Sequence, residues 1–344
     1  WEPVPGDVFF HDSGDRDLVA AQQRRAGRNL FADHHCAKCH QTGGGQRGMF
    51  ELGLAAPNLA TAGDRLQASW LQQWLLKPQL LRPGAHMPEL LSAGQTGQRE
   101  SADLAAYLLQ QRAEKRPAEP AEAPASALAT GQLLFETLGC INCHHFGAPG
   151  KKDEFDRLSL HHANAKYRAG AMVQFLLKPS AHFEATRMPN FHLSADESVA
   201  LAQFVRSKSP GKIAGQSATG SAARGEKLFT QKACLQCHRI GGQQATKPAQ
   251  LRWAEAVERS GCLASKNTTR KAGVPAFGFS EVQQRSLHSF LQRDLASLQQ
   301  SSPAETSGRL FERLQCASCH DRDGQRSKRL IVLAEEGGGK VGKV

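Results

Sequence analysis

Two cysteines three positions apart, with a histidine directly after the second, occur four times in this chain. The copies are Cys36-x-x-Cys39-His40, Cys140-x-x-Cys143-His144, Cys234-x-x-Cys237-His238 and Cys316-x-x-Cys319-His320. On a helical turn the two sulfurs face one way, and each can form a thioether with a vinyl group of one porphyrin. The histidine then turns onto the iron from one side. Four copies rule out coincidence, so the pattern predicts four covalently attached haem c groups. His40, His144, His238 and His320 are the expected proximal ligands.

Other uses of CxxC fit poorly. A zinc ribbon pairs CxxC units roughly 15–20 residues apart, whereas these motifs start 104, 94 and 82 residues apart and each carries its own histidine. A thioredoxin-type redox CxxC sits in a βαβ setting, and no such β pattern is present. Eight of the nine cysteines belong to the motifs, which leaves Cys262 over and no disulfide framework. Repeats of this length are small for self-sufficient cores; a buried porphyrin supplies the apolar surface that an aromatic content of 6% does not.

The formal charge of +11 counts protein groups alone, and haem propionates would bring the loaded protein nearer to neutral. Basic patches around haem edges would still steer acidic redox partners. Nucleic acid is not an expected partner, because the Lys and Arg residues are scattered and no nucleic-acid motif accompanies them. No apolar run is long enough to span a bilayer, so no transmembrane segment is expected.

Each motif ends a longer repeat. Phe31, Phe135, Phe229 and Phe311 stand five residues before the first cysteine, and Gly27, Gly131 and Gly225 stand four before the phenylalanine; Ser307 takes that place in the fourth copy. A glycine in a helix costs about 1 kcal/mol relative to alanine, so its recurrence predicts close approach of a second helix. Apolar residues at i, i+3 and i+4 mark that helix in three repeats: Leu104, Tyr107 and Leu108; Leu201, Phe204 and Val205; Leu287, Phe290 and Leu291. A first helix with Gly and Phe crossing a last helix with an aromatic resembles class I cytochrome c, over three complete repeats and the start of a fourth.

The resemblance implies an all-α fold of tandem class I cytochrome c-like haem domains joined by flexible linkers. The expected boundaries are an N-terminal extension at 1–24, domains at 25–114, 129–209 and 223–296, and an incomplete domain at 306–344. Pro-, Ala- and Glu-rich, Gly- and Ser-rich, and Ser- and Gln-rich stretches separate the domains. In this family a methionine before proline supplies the second axial ligand. Met87-Pro88 and Met188-Pro189 each fall nine residues beyond the proline of a Lys-Pro pair, which implies His40/Met87 and His144/Met188 ligation. Met49 and Met172 lack that match and read as packing residues.

Family members also anchor the proximal histidine through a proline carbonyl. Pro57 is the candidate in the first repeat and Pro248 in the third; the second has Asp156-Arg157-Leu158 near that place.

The third repeat has Val274 where methionine should stand. Cys262 is therefore a candidate sixth ligand for its haem, the alternative being a buried free thiol. Among the other histidines, His11 reads as a surface residue and His288 as surface or packing. His34 and His35 flank the first motif, while His161 and His162 are candidates to bridge to a neighbouring haem. The fourth repeat stops 24 residues after His320 with no Met, His or last helix. The expectation is that more chain or another subunit completes it, and that a leader preceded Trp1. Because haem attachment to CxxCH takes place outside the cytoplasm in bacteria, the resemblance implies a periplasmic or extracellular location.

These features lead to the expectation of a tetrahaem c-type cytochrome that passes single electrons between redox protein partners. Two alternatives stay open. One is a haem enzyme with a Cys-ligated or open iron, of the thiosulfate dehydrogenase or peroxidase kind; the other is a cytochrome module of a larger respiratory or dehydrogenase complex.

Overall fold

The computed structural model describes residues 16–40, 48–113, 126–150, 153, 155, 157–213, 218–243, 262–263, 274–300 and 302–321. His11, Asp156, Pro248, most of the segment around Cys262, the middle of the first linker and the chain beyond Asp321 lie outside the described residues. The fold is all-α; strand among the described residues is confined to the two-residue parallel pair His144–His145 with Leu158–Ser159 and a bridge between Leu66 and Tyr167.

The chain divides into two compact bodies. The first takes its described residues from Trp1–Leu54, His86–Pro88 and Lys247–Arg309, the second from Ala55–Ala85, Glu89–Thr246 and Leu310–Val344. The first body is built on a crossing between helix Arg16–Asp33, which carries Gly27, and helix Glu281–Arg293, which carries Phe290. The described end of the extension expected at 1–24, from Arg16 on, is continuous with the first of these. A Cβ at Gly27 would overlap the carbonyl oxygen of Ser286 and stand 2.7 Å from Phe290 Cβ. With the backbones that close, Phe31 and Phe290 meet with ring centroids 5.6 Å apart. Around them Met49, Leu263, Phe279, Leu287 and Leu298 are buried, with Cys36 and Cys262 packed against the cluster. Two ion pairs tie helix Pro303–Leu314 to this body: Arg28 with Glu305 at 2.5 Å, and Arg309 with the fully buried Glu51 at 2.6 Å.

The second body holds two crossings of the same design. In the second repeat, helix Ala127–Thr137 crosses helix Ala195–Lys208. Gly131 lies against the Ala200 carbonyl and Phe135 meets Phe204 at 5.4 Å. The last helix is held at its start by a capping box between Ser194 and Glu197. Ser280 and Gln283 repeat that box on the Phe290 helix. In the other crossing, helix Ala222–Gln231 lies on helix Gly94–Leu109. There Gly225 lies against the Asp103 carbonyl and Tyr107 meets Phe229 at 5.5 Å.

The crossing itself is the one the repeated glycine and aromatic predict, but the partners differ in two cases of three. The first helix of repeat one pairs with the last helix of repeat three, and the first helix of repeat three with the last helix of repeat one. Electrostatics accounts for this choice. Asp103, at 5% exposure, stands four residues before Tyr107, where the other last helices have Ala200 and Ser286. Arg224, directly before Gly225, grips Asp103 with two bonds of 2.7 and 2.8 Å, and the Ser221 N–H donates to the same carboxylate at 2.6 Å. The positions matching Arg224 are Ala26 and Thr130. A second pair, Lys232 with Glu100 at 3.1 Å, lies further along the same interface. Joining the Gly27 helix to the Tyr107 helix would set Asp103 against Ala26 and leave a buried carboxylate without its cation, a costly arrangement.

Helices Ala68–Leu76 and Ala171–Leu177 each run up to a Lys-Pro pair, whose prolines, Pro78 and Pro179, are fully buried. Met49 and Met172 are buried core residues at 3% and 5% exposure.

Gly131→Ala is expected to destabilise the haem-loaded protein by about 1–3 kcal/mol through overpacking against the Ala200 carbonyl. Thr130→Ala, at the exposed neighbour, should stay within about 0.5 kcal/mol. Urea unfolding followed by circular dichroism measures both; equal midpoints for the two variants would refute the close crossing.

Candidate haem-binding sites

All four CxxCH motifs adopt one backbone conformation. Cys36–Lys38, Cys140–Asn142, Cys234–Gln236 and Cys316–Ser318 each form a single turn of 3-10 helix. The residue before each first cysteine is left-handed, with φ 54° at His35, 72° at Gly139, 54° at Ala233 and 55° at Gln315. Left-handed backbone costs an L-residue roughly 1–2 kcal/mol, yet only one of the four positions is glycine. The reversal it makes turns the chain from the first helix into the motif. In every copy the second cysteine N–H donates to the first cysteine carbonyl at 3.1–3.2 Å. His40, His238 and His320 donate to that carbonyl as well, at 3.0, 2.9 and 2.9 Å.

Two proximal histidines are anchored through Nδ1, which leaves Nε2 for iron. His238 Nδ1 lies 2.9 Å from the Pro57 carbonyl, and His144 Nδ1 lies 3.3 Å from the Leu158 carbonyl. The backbones alongside match too. The Leu158 N–H donates to Cys143 and the Leu160 N–H to His145; near His238, Ala56 donates to Cys237 and Leu59 to Arg239. Proline has no N–H, so Ala56 makes the bond that Leu158 makes for itself. Pro57, expected to hold the first motif's histidine, holds the third motif's instead. Leu158 supplies the anchor that the sequence did not reveal for the second.

Burial lowers the pKa of His40 and His238, and brings that of His144 down to about 4 against a smaller opposing effect of its bond to Leu158. These rings are therefore neutral at ordinary pH, the form that binds iron. Burial also pushes the Cys140 and Cys234 thiols up to about 12. Surroundings that disfavour a thiolate suit a neutral thioether sulfur. Paired sulfurs on one turn and a neutral, anchored imidazole fit a covalently held haem.

The loop that delivers Leu158 depends on a carboxylate that sequence reasoning missed. Asp153 accepts the N–H groups of Phe155 and Arg157 at 3.1 and 2.8 Å, and the Arg157 guanidinium at 2.9 Å. Burial alone would raise its pKa, but these bonds and the Arg157 charge bring it down to about 2. An Asp four residues before an Arg in a short loop was the available signal.

Met188 is half-buried in the body that holds His144. Met87 falls in the body that holds His40, beside His86, whose ring lies 4.9 Å from that of His34. Cys262 is in that body too, packed on the core with Cys36, whereas His238 belongs to the other body. His34 is held among Phe277 and Phe279, and its Nδ1 contacts the Leu30 carbonyl at 3.1 Å. His161 stacks edge-on with His162, and its Nδ1 lies 3.4 Å from the Phe146 carbonyl. His288 lines a cavity of about 430 Å³ with Arg24, Arg285 and Arg293. His320 is exposed.

The Asp153 bonds stabilise the fold above the usual carboxylate pKa and are lost as pH falls through about 2. Soret circular dichroism of the His144 haem should therefore change between about pH 4 and pH 2. Asp153→Asn should flatten that transition, and an unaltered acid titration would show that the carboxylate does not shape this site.

No curated protein and no solved structure gives a significant match to the chain. The Cytochrome c family profile matches residues 25–112 and 222–292. Those stretches are the first and third repeats, and the second builds the same turn, crossing and histidine anchor within itself. With covalent haem c implied by these domains, the chain is a multi-domain c-type cytochrome with a haem electron-transfer role.

Proposed function

We propose that this protein is a tetrahaem electron carrier, with one haem c at each CxxCH turn. The observation that carries this reading is the common geometry of the four turns, left-handed residue included, which extends to the two motifs outside the family matches. Bound haem supplies an iron that cycles between ferric and ferrous states. The chain attaches it through two sulfurs, orients the proximal imidazole through a backbone carbonyl, and excludes water with the crossed helices.

Met188 is the proposed sixth ligand opposite His144. Met87 and Cys262 both fall in the body of His40, so each is a candidate for that iron, and a thiolate there would give a lower potential than a thioether. Cys262 as a ligand to the iron of His238 is the pairing suggested by Val274. Redox proteins are the proposed partners, and a periplasmic or extracellular setting follows the habit of the family. Among the described residues no helix is long and apolar enough to cross a membrane. The enzyme alternative turns on Cys262 or on an open iron at His320.

Intact mass and pyridine haemochrome assay should give four haems per chain, and a count of two would reject the tetrahaem reading. Electron paramagnetic resonance of the oxidised protein should show low-spin iron at His144, converted to high-spin by Met188→Ala. A dominant high-spin signal in the unaltered protein would move the enzyme reading to first place.

A further inference from the structure

The second and fourth motifs lie together in one body. Asn142, between the two cysteines of the second motif, is 5% exposed, and its Nδ2 stands 3.8 Å from Cys319 Sγ. Cys319 is also close enough to Cys140 to act on it electrostatically. A second observation agrees. Helix Pro303–Leu314, which leads into the fourth motif, has no buried residue, whereas Ser318 within the motif is 3% exposed. Within this body the fourth turn is thus seated by its motif.

We propose that the Asn142–Cys319 contact is a direct electron-transfer junction between the second and fourth haem sites. Both groups touching there belong to attachment turns, so haems held by the two turns would have one amide between their points of attachment. The contact survives haem attachment, since a thioether sulfur remains a weak acceptor for the Asn142 N–H. With haem bound at both turns, one electron would pass between an iron held by His320 and one held by His144, the donor going from ferrous to ferric and the acceptor from ferric to ferrous. No bond forms or breaks and no proton moves. An external one-electron redox protein supplies the electron and another removes it. In this arrangement the fourth motif, which lacks a last helix among the described residues, is an entry or exit point seated on the second domain.

The inference rests on the electron-carrier reading, and one set of samples separates the two. Microwave power saturation of the His144 haem signal is measured in the oxidised four-haem protein, in Cys316→Ala/Cys319→Ala and in Asn142→Leu, with haem counted by mass in each. A fast-relaxing ferric neighbour should make the wild-type signal hard to saturate. The double variant, with three haems, should saturate at severalfold lower power, and Asn142→Leu, with four, at an intermediate value. Equal saturation in wild type and a three-haem double variant would overturn the junction while leaving the carrier reading intact. If the double variant does not fold, equal saturation in wild type and Asn142→Leu overturns it. A wild-type protein without a fourth haem, or with haems that dithionite does not reduce, would overturn both.

Discussion

Everything in this chain hangs on backbone-to-backbone contact at three helix crossings. At Gly27, Gly131 and Gly225 the first helix meets a carbonyl of the last helix so closely that no side chain fits between them. The aromatic pairs beside these glycines, at 5.4–5.6 Å, meet at a tilt one turn further along and add about 0.5–1.5 kcal/mol each beyond the area they bury. The first helix then reverses at a left-handed residue and presents its cysteines and histidine, so a displaced crossing would displace the haem with it. The same contact lets repeats so short form a small core between two helices, which a bound porphyrin would enlarge.

Because the three crossings are alike in shape, shape alone does not say which first helix meets which last helix. Charge does. Asp103 with Arg224, and Glu100 with Lys232, occur on one pair of helices only. The family profile matches the first and third repeats as contiguous stretches, while the helices that close on each other come from different repeats. Repeat one therefore contributes its front to one body and much of its back to the other. The Pro57 carbonyl on His238 is a direct result. The same exchange puts Cys262, from the third repeat, against the core that Cys36 of the first repeat packs on.

The crossing of a glycine-bearing helix on an aromatic-bearing one was legible in the sequence because it rests on a repeated spacing, and the burial of Met49 and Met172 because they fall outside the repeated Met-Pro place. What the spacing did not carry was of three kinds. The pairing of helices depends on four charged side chains that read as ordinary solvent-facing residues until Asp103 is seen buried. The anchor of His144 is a backbone carbonyl, which any residue at position 158 would supply, so the side chain of Leu158 gives no hint. The left-handed turn before each motif was hidden because His35, Ala233 and Gln315 occupy it where glycine would have announced it. Asn142 likewise has no distinguishing pattern; its meaning comes only from having Cys319 beside it.

The exchange of halves between the first and third repeats is the claim on which the ligand assignments depend, and zero-length carbodiimide cross-linking of the intact haem protein tests it most directly. Lys232 and Glu100, in contact at 3.1 Å, should be recovered as one cross-linked peptide. A protein in which Lys232 is instead joined to Glu281, on the last helix of its own repeat, would contradict the account.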